Sequence, residues 1–134
     1  MILVDTSIWI EFLSGRFPDE LSDLTLESFV TCGPVMQELL QGVRPEGVRL
    51  LMERFDGVRR LSDPLPERLF WEAAEIYRRG RQRGLTIRSS ADCLIAAIAI
   101  ENDIPVWHRD RDFTAIADYT NLRAMWDLPG AAAG

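Results

Sequence analysis

Short apolar runs alternate along this chain with longer stretches whose apolar positions recur every three to four residues. That is the pattern of a parallel α/β sheet with helical crossovers. The first run, 2–4, reads as a strand and leads into Asp5, Thr6 and Ser7, three side chains able to cap a helix over 8–13 that Gly15 stops. A second helix is expected over 19–27 and a second strand over 29–31. Pro34 opens a helix that runs to Gln41 and is stopped by Gly42. Residues 47–55 suit another helix and 58–61 a third strand. Beyond a turn at Pro64 and Pro66, Leu69, Phe70, Ala73, Ala74, Ile76 and Tyr77 set a helical period over 67–83. Ser89 and Ser90 offer a cap for a helix over 91–102, apolar on most sides and therefore expected at the centre of the fold. A fourth strand over 104–107 tolerates Pro105 near its start, a short helix follows over 112–118, and 122–126 suits an edge strand. The expected organisation is one α/β domain over 1–128 and a frayed tail over 129–134, with no repeat and no linker.

Composition narrows the class. At 134 residues, 47% hydrophobic and 27% charged, the chain is sized and balanced for one globular domain. No apolar run reaches membrane-spanning length, so no membrane partner is expected. The opening Met1-Ile2-Leu3-Val4-Asp5 lacks the basic start of an export signal, and the cytoplasm is the expected compartment. In that setting Cys32 and Cys93 are expected as buried thiols rather than a disulfide. One histidine and two isolated cysteines cannot build a zinc-type site. The net charge of −6 argues against broad adhesion to nucleic acid. All 15 basic residues are arginine, however, and each can grip a phosphate or carboxylate through two parallel hydrogen bonds.

The candidate chemistry is acidic and sits at the junctions of this plan. Asp5 lies just past the first strand, Glu38 in the helix after the second, Asp92 at the start of the apolar helix, and Asp110 and Asp112 just past the fourth strand. In open α/β sheets ligands bind beyond the carboxyl ends of the strands. Each residue also has a plainer explanation: Asp5 as a helix cap, Asp92 as a complement to a helix dipole, Glu38 as one more helix-surface acid, Asp110 and Asp112 as turn residues. The combination matters more than any member. Carboxylates in contact repel by roughly 4 kcal/mol per pair at an effective dielectric near 20, so gathering four of them needs protons or a cation. With no lysine and no histidine cluster, a hard oxygen-liganded ion, Mg²⁺ or Mn²⁺, is the natural partner, and such ions hydrolyse phosphodiesters.

Four segments resemble, in order, the four motifs of VapC-type toxins of the PIN-domain family: Val4-Asp5-Thr6-Ser7-Ile8-Trp9, Val35-Met36-Gln37-Glu38-Leu39-Leu40-Gln41-Gly42, Asp92-Cys93-Leu94-Ile95-Ala96-Ala97 and His108-Arg109-Asp110-Arg111-Asp112-Phe113. The resemblance covers nearly the whole chain. It implies a three-layer α/β/α fold with a short parallel sheet flanked by helices. It also implies a cytoplasmic endoribonuclease that cuts structured RNA, often tRNA or rRNA, forms a homodimer, and is held inactive by a VapB-type antitoxin. Carried over, it makes Asp5, Asp92 and Asp110 metal ligands, has Glu38 act on the metal directly or through water, gives Asp112 an assisting role, and has Ser7 orient Asp5. One position departs from the pattern: His108 stands where many members carry Thr or Ser.

Arg78, Arg79, Arg81, Arg83 and Arg88 form the densest basic stretch, either a solvated helix end or a rim that holds an RNA backbone. Arg81, Arg83, Arg88 and Arg109 are the RNA-binding candidates. Trp9 and Phe12, three apart on a short helix, suit core packing or an antitoxin groove. Two rival domains with acidic pockets fail on chemistry. A receiver domain needs a lysine that this chain lacks. Asp110-Arg111-Asp112-Phe113-Thr114 fits the Asp-x-Asp-x-Thr pattern of haloacid-dehalogenase-type phosphatases, but those place it on the first strand and also need a lysine. The remaining alternative is a catalytically silent PIN fold that binds RNA or protein; the intact acidic set speaks against it.

Overall fold

In the computed structural model, which describes residues 1–14 and 27–128, the apolar runs form one parallel sheet. Its strands are β1 (Ile2–Val4), β2 (Phe29–Cys32), β3 (Arg59–Leu61), β4 (Val106–Trp107) and β5 (Ala124–Met125), in the order β3-β2-β1-β4-β5. Every pairing is parallel. Among the described residues six α-helices flank the sheet in three α/β/α layers: α1 (Thr6–Leu13), α2 (Gly33–Gly42), α3 (Val48–Arg54), α4 (Glu67–Gln82), α5 (Ser90–Glu101) and α6 (Arg111–Ala117). A 3₁₀ turn, Pro45–Gly47, leads into α3. No described helix is long and apolar enough to cross a membrane.

The inner strands are covered on both faces, which is why their sequences are apolar throughout rather than alternating. Leu3, Val4, Val30 and Val106 are at most 2% exposed. Edge strand β3 buries only Leu61 and exposes two arginines. The all-round apolar α5 is fully enclosed from Ile95 to Ala99. Cys32 and Cys93 are free and buried, and burial pushes their thiols up to about 12 and about 11, far from reactivity. Trp9 belongs to the core, its ring packed against Phe12, Phe29 and Phe55.

Element boundaries differ from the sequence expectation by a residue or two. Helix α1 starts at Thr6 because Asp5 caps it. Ser89 holds the cap position of α5 without a side-chain cap bond. The helix expected over 19–27 lies, but for its last residue, outside the described residues, and so does the tail over 129–134. Helix α4 departs most. Leu69, Ala73 and Ile76 face the core, whereas Phe70, Trp71 and Tyr77 are exposed, so its apolar period spans two neighbouring faces of which one is outward.

Gly80 in α4 is required by contact rather than by backbone conformation. A Cβ there would stand 2.7 Å from the Tyr119 hydroxyl oxygen. That hydroxyl donates to the Ile76 carbonyl at 2.8 Å, and the guanidinium carbons of Arg79 and Arg83 each lie 5.5 Å from the ring centre. Gly80→Ala gains about 1 kcal/mol of helix propensity but overpacks this contact, so a net destabilisation of about 1–2 kcal/mol is expected in urea unfolding. In a Tyr119→Phe background the same change should become neutral or stabilising. Strict additivity of the two substitutions would contradict the contact.

Candidate metal centre

Strand β1 is central, and the chain fills the sheet first on its β2 side and then on its β4 side. The β1/β4 junction is therefore the switch point where α/β sheets leave a crevice at their carboxyl edge. The Asp5 amide donates to the Trp107 carbonyl at 3.0 Å, which sets the end of β1 beside the end of β4. One Asp5 oxygen, Oδ2, caps α1 by accepting from the Ser7 amide (3.3 Å) and the Ser7 hydroxyl (2.8 Å). Ser7 Oγ in turn accepts from the Arg109 amide at 3.1 Å, tying the loop after β4 to α1. The other oxygen, Asp5 Oδ1, is buried without a hydrogen-bond partner. One side chain thus caps a helix with one oxygen and offers the other to the converging carboxylates.

Glu38 arrives from α2, and Thr6 Oγ1 donates to its Oε1 at 3.2 Å. Asp92 arrives from the first turn of α5, 3% exposed, with Oδ2 buried and unpartnered. Carboxylate oxygens of Asp5, Glu38 and Asp92 lie within 4.8 Å of one another, and so do those of Asp92, Asp110 and Asp112. Asp92 is common to both groups. Asp110 caps α6, its Oδ1 accepting from the Asp112 amide at 2.9 Å. Asp112 Oδ2 accepts from the Arg88 amide at 3.0 Å, and the Arg88 guanidinium stands 3.9 Å from both Asp110 and Asp112.

Two ionised carboxylates at such separations repel by roughly 3 kcal/mol at an effective dielectric near 20. The protons answer accordingly. Burial raises Asp5 above the ordinary carboxyl range against the opposing Ser7 and Thr6 bonds, and burial together with the Asp5 charge raises Glu38. Asp92 is pushed up to about 9, first by burial, then by the adjoining Asp110 carboxylate, with Asp5 and Glu38 adding. A divalent cation would do the same work as that proton, and the residues fit one. The donors are hard oxygens, and two buried oxygens, on Asp5 and Asp92, lack any other partner.

His108 is 1% exposed, and burial holds its imidazole below the usual range. Its Nδ1 accepts from the Asp110 amide at 3.1 Å, so the ring is neutral with its proton on Nε2. It packs on Phe113 and Trp126, with ring centres 5.3 and 5.7 Å away. The imidazole thus takes over, by accepting from a backbone amide, the task of holding the loop that carries Asp110.

The arginine candidates scatter. Arg88 meets the acidic cluster. Arg83 lies over Tyr119, and Arg81 is exposed. Arg109 stands over the Trp126 ring at 5.5 Å and 3.6 Å from Asp127. Arg78 and Arg88 also border a groove of about 750 Å³ between α2, α4 and α5, where Phe70, Tyr77 and Leu94 supply apolar wall next to Glu38. Sequence reasoning missed Thr6 as the donor to Glu38, the Arg88 amide as the donor to Asp112, and Trp126. Only Thr6 carried a signal, its place beside Asp5 at a helix start.

Comparison with known proteins agrees with this geometry. Residues 2–119 match the PIN domain. The chain is 39% identical over 133 residues to VapC ribonuclease Mb1587 of Mycobacterium bovis and to Ribonuclease VapC11 of Mycobacterium tuberculosis, covering 92% of this chain and 97% of each relative. Among solved structures, VapBC-1 from nontypeable Haemophilus influenzae aligns with a TM-score of 0.73 at 19% identity, over 93% of this chain and 97% of that one. FitAcB from Neisseria gonorrhoeae aligns with a TM-score of 0.66 at 24% identity, over 93% and 96%. The chain belongs to the PIN-domain family and, within it, is a homologue of the VapC ribonucleases.

Proposed function

We propose that this chain is the toxin of a type II toxin–antitoxin pair and acts as a Mg²⁺- or Mn²⁺-dependent endoribonuclease on structured RNA, tRNA or rRNA. The observation that carries the reading is the convergence of five carboxylates, two with buried unpartnered oxygens, at the sheet's switch point in a homologue of VapC ribonucleases. Asp5 and Asp92 from one converging group and Asp110 from the other would hold the ion. When bound, it activates water and neutralises the charge developing on the phosphoryl group. Glu38, whose carboxyl burial already makes more basic, positions the attacking water or takes its proton. Ser7 fixes Asp5, and Asp112 assists by keeping the Arg88 loop and α6 in place. Arg88, 3.9 Å from Asp110 and Asp112, and Arg109 would meet RNA phosphates, with Arg81 and Arg83 further along the basic stretch that Arg88 ends.

Sequencing RNA ends after incubating total cellular RNA with the purified protein tests the reading. Discrete new ends should form with Mg²⁺ or Mn²⁺ and none in EDTA. Uncut RNA in both ions would sink the proposal.

The solved neighbours are VapBC and FitAB structures, among them VapBC-5 of Mycobacterium tuberculosis, a member of the VapBC family of toxin–antitoxin systems. A VapB-type antitoxin would here lay an apolar segment in the α2/α4/α5 groove and point an arginine or lysine at the acidic cluster, with the toxin as a homodimer. In a co-purified complex, replacing that basic residue by alanine should restore cleavage. An antitoxin that inhibits fully with every pocket carboxylate open to solvent would refute this mode.

A further inference from the structure

The carboxyl edge of the sheet continues past the acidic cluster. Strand β5 runs parallel to β4 and ends at Met125, so Trp126 leaves the sheet on the same edge as Asp5 and His108. It stands two strands from β1, about 10 Å at ordinary inter-strand spacing. Its backbone is pinned: Trp107 Nε1 donates to the Trp126 carbonyl at 3.0 Å, and the His108 amide donates to the Met125 carbonyl at 2.9 Å. Its ring is braced as well. The His108 imidazole meets it edge to face at an interplanar angle of 88°, and the Arg109 guanidinium carbon lies 5.5 Å from its centre. Trp126 is nevertheless 48% exposed, while Trp9 and Trp107 are 6% and 3% exposed; the other exposed tryptophan, Trp71, lies on α4 rather than at this sheet edge.

A large aromatic held by Trp107, His108 and Arg109, all in the strand and loop leading to Asp110, has its orientation fixed by the site itself. Anchoring the chain end would need only the backbone bonds. The free aromatic surface beside an arginine and a phosphodiester-cleaving cluster matches one chemistry, a nucleobase attached to a bound phosphate. We propose that Trp126, backed by Arg109, is the stacking platform for a base next to the scissile phosphate and sets the base preference at that position. The proposal rests on the ribonuclease reading above. Trp126 is a positioning residue: it grips the base, and the carboxylates act on the phosphate.

The test uses the full chain with Mg²⁺ and total cellular RNA to establish cleavage, and then a structured RNA that it cuts, with the nucleotides flanking the cut randomised. Base–aromatic stacking, removed by Trp126→Ala, should raise KM roughly 5- to 100-fold with kcat nearly unchanged, and flatten the base preference at one position flanking the cut. Trp126→Phe should restore most of both, and unchanged melting curves would show that the fold is intact. In a Trp71→Phe background, which removes the more exposed indole, an RNA 12-mer in EDTA should quench the tryptophan fluorescence, and the quenching should vanish when Trp126→Phe is added. Cleavage by the parent, with the same KM and cut-site profile in Trp126→Ala, overturns the platform alone. No cleavage by the parent overturns the ribonuclease reading, while quenching lost when Trp126→Phe is added would still uphold the platform and its absence in the Trp71→Phe background would overturn it.

Discussion

Asp92→Asn should lower RNA cleavage at least about 100-fold, the upper end of the roughly 10- to 100-fold loss that even an outer partner of a metal site produces when removed, and should make the metal-free protein more stable. The two effects have one cause. Asp92 is shared by both groups of converging carboxylates, so its charge is the one the cluster most needs for holding a cation. In the absence of a cation that charge is the one the fold least tolerates, which is why its carboxyl is pushed up to about 9. Asparagine keeps the shape and removes the charge. In EDTA at neutral pH its melting temperature should exceed the parent's by about 4 °C, the shift that about 1 kcal/mol gives a domain of this size. Parent-like cleavage would remove Asp92 from the site. A lowered melting temperature would mean that the carboxylate stabilises the fold rather than straining it.

Stability should also fall with rising pH in the metal-free protein and stay level when a divalent ion is bound. Between the ordinary carboxyl value of 3.8 and about 9, the folded protein holds the Asp92 proton that the unfolded chain releases. The folded state therefore binds more protons, and stability must fall as pH rises through this range. Raised Asp5 and Glu38 act in the same direction. His108 opposes them on the acid side only: with its folded value below 6.5, its contribution is fully present above 6.5 and is lost as pH falls further. In EDTA the melting temperature should accordingly drop from about pH 6.5 to about pH 8.5. A divalent ion needs the carboxylates ionised, so its binding strengthens over the same interval. At a hundredfold excess over Kd it adds about 2.7 kcal/mol. Melting curves with EDTA and with Mg²⁺ that superimpose at every pH would exclude the site.

Much of this was readable in the residues themselves. Buried parallel strands carry a plain signature, and 2–4, 29–31 and 58–61 each lie within a residue of the strands that form. The acidic positions were visible because each follows a strand or opens a helix, the places a switch point uses. What the sequence hid was set by tertiary contact. The period in α4 could not say which of two adjacent apolar faces would be covered, and Phe70, Trp71 and Tyr77 are outward. The role of His108 depends on the Asp110 amide, and that of Arg88 on its backbone N–H meeting Asp112, neither of which side-chain pattern encodes. Trp126 looked like the end of an edge strand because the pairing of β5 with β4, which brings it to the site, has no local signal.

A cation held by these carboxylates, and not the ribose hydroxyl, would drive the cut. Metal-free ribonucleases use the 2′-OH as nucleophile with a general acid and base, often two histidines, and leave a cyclic phosphate. This chain has one histidine, held neutral with its Nδ1 occupied by the Asp110 amide, and it has no lysine. Ligation-based mapping of the fragments made by the purified protein in Mg²⁺ distinguishes the two routes. Attack by water on the phosphorus should leave a 3′-hydroxyl on one fragment and a 5′-phosphate on the other, and a substrate with a 2′-deoxy sugar at the scissile position should still be cut. Cyclic phosphate ends, or complete resistance of a deoxy substrate that still binds, would contradict water attack.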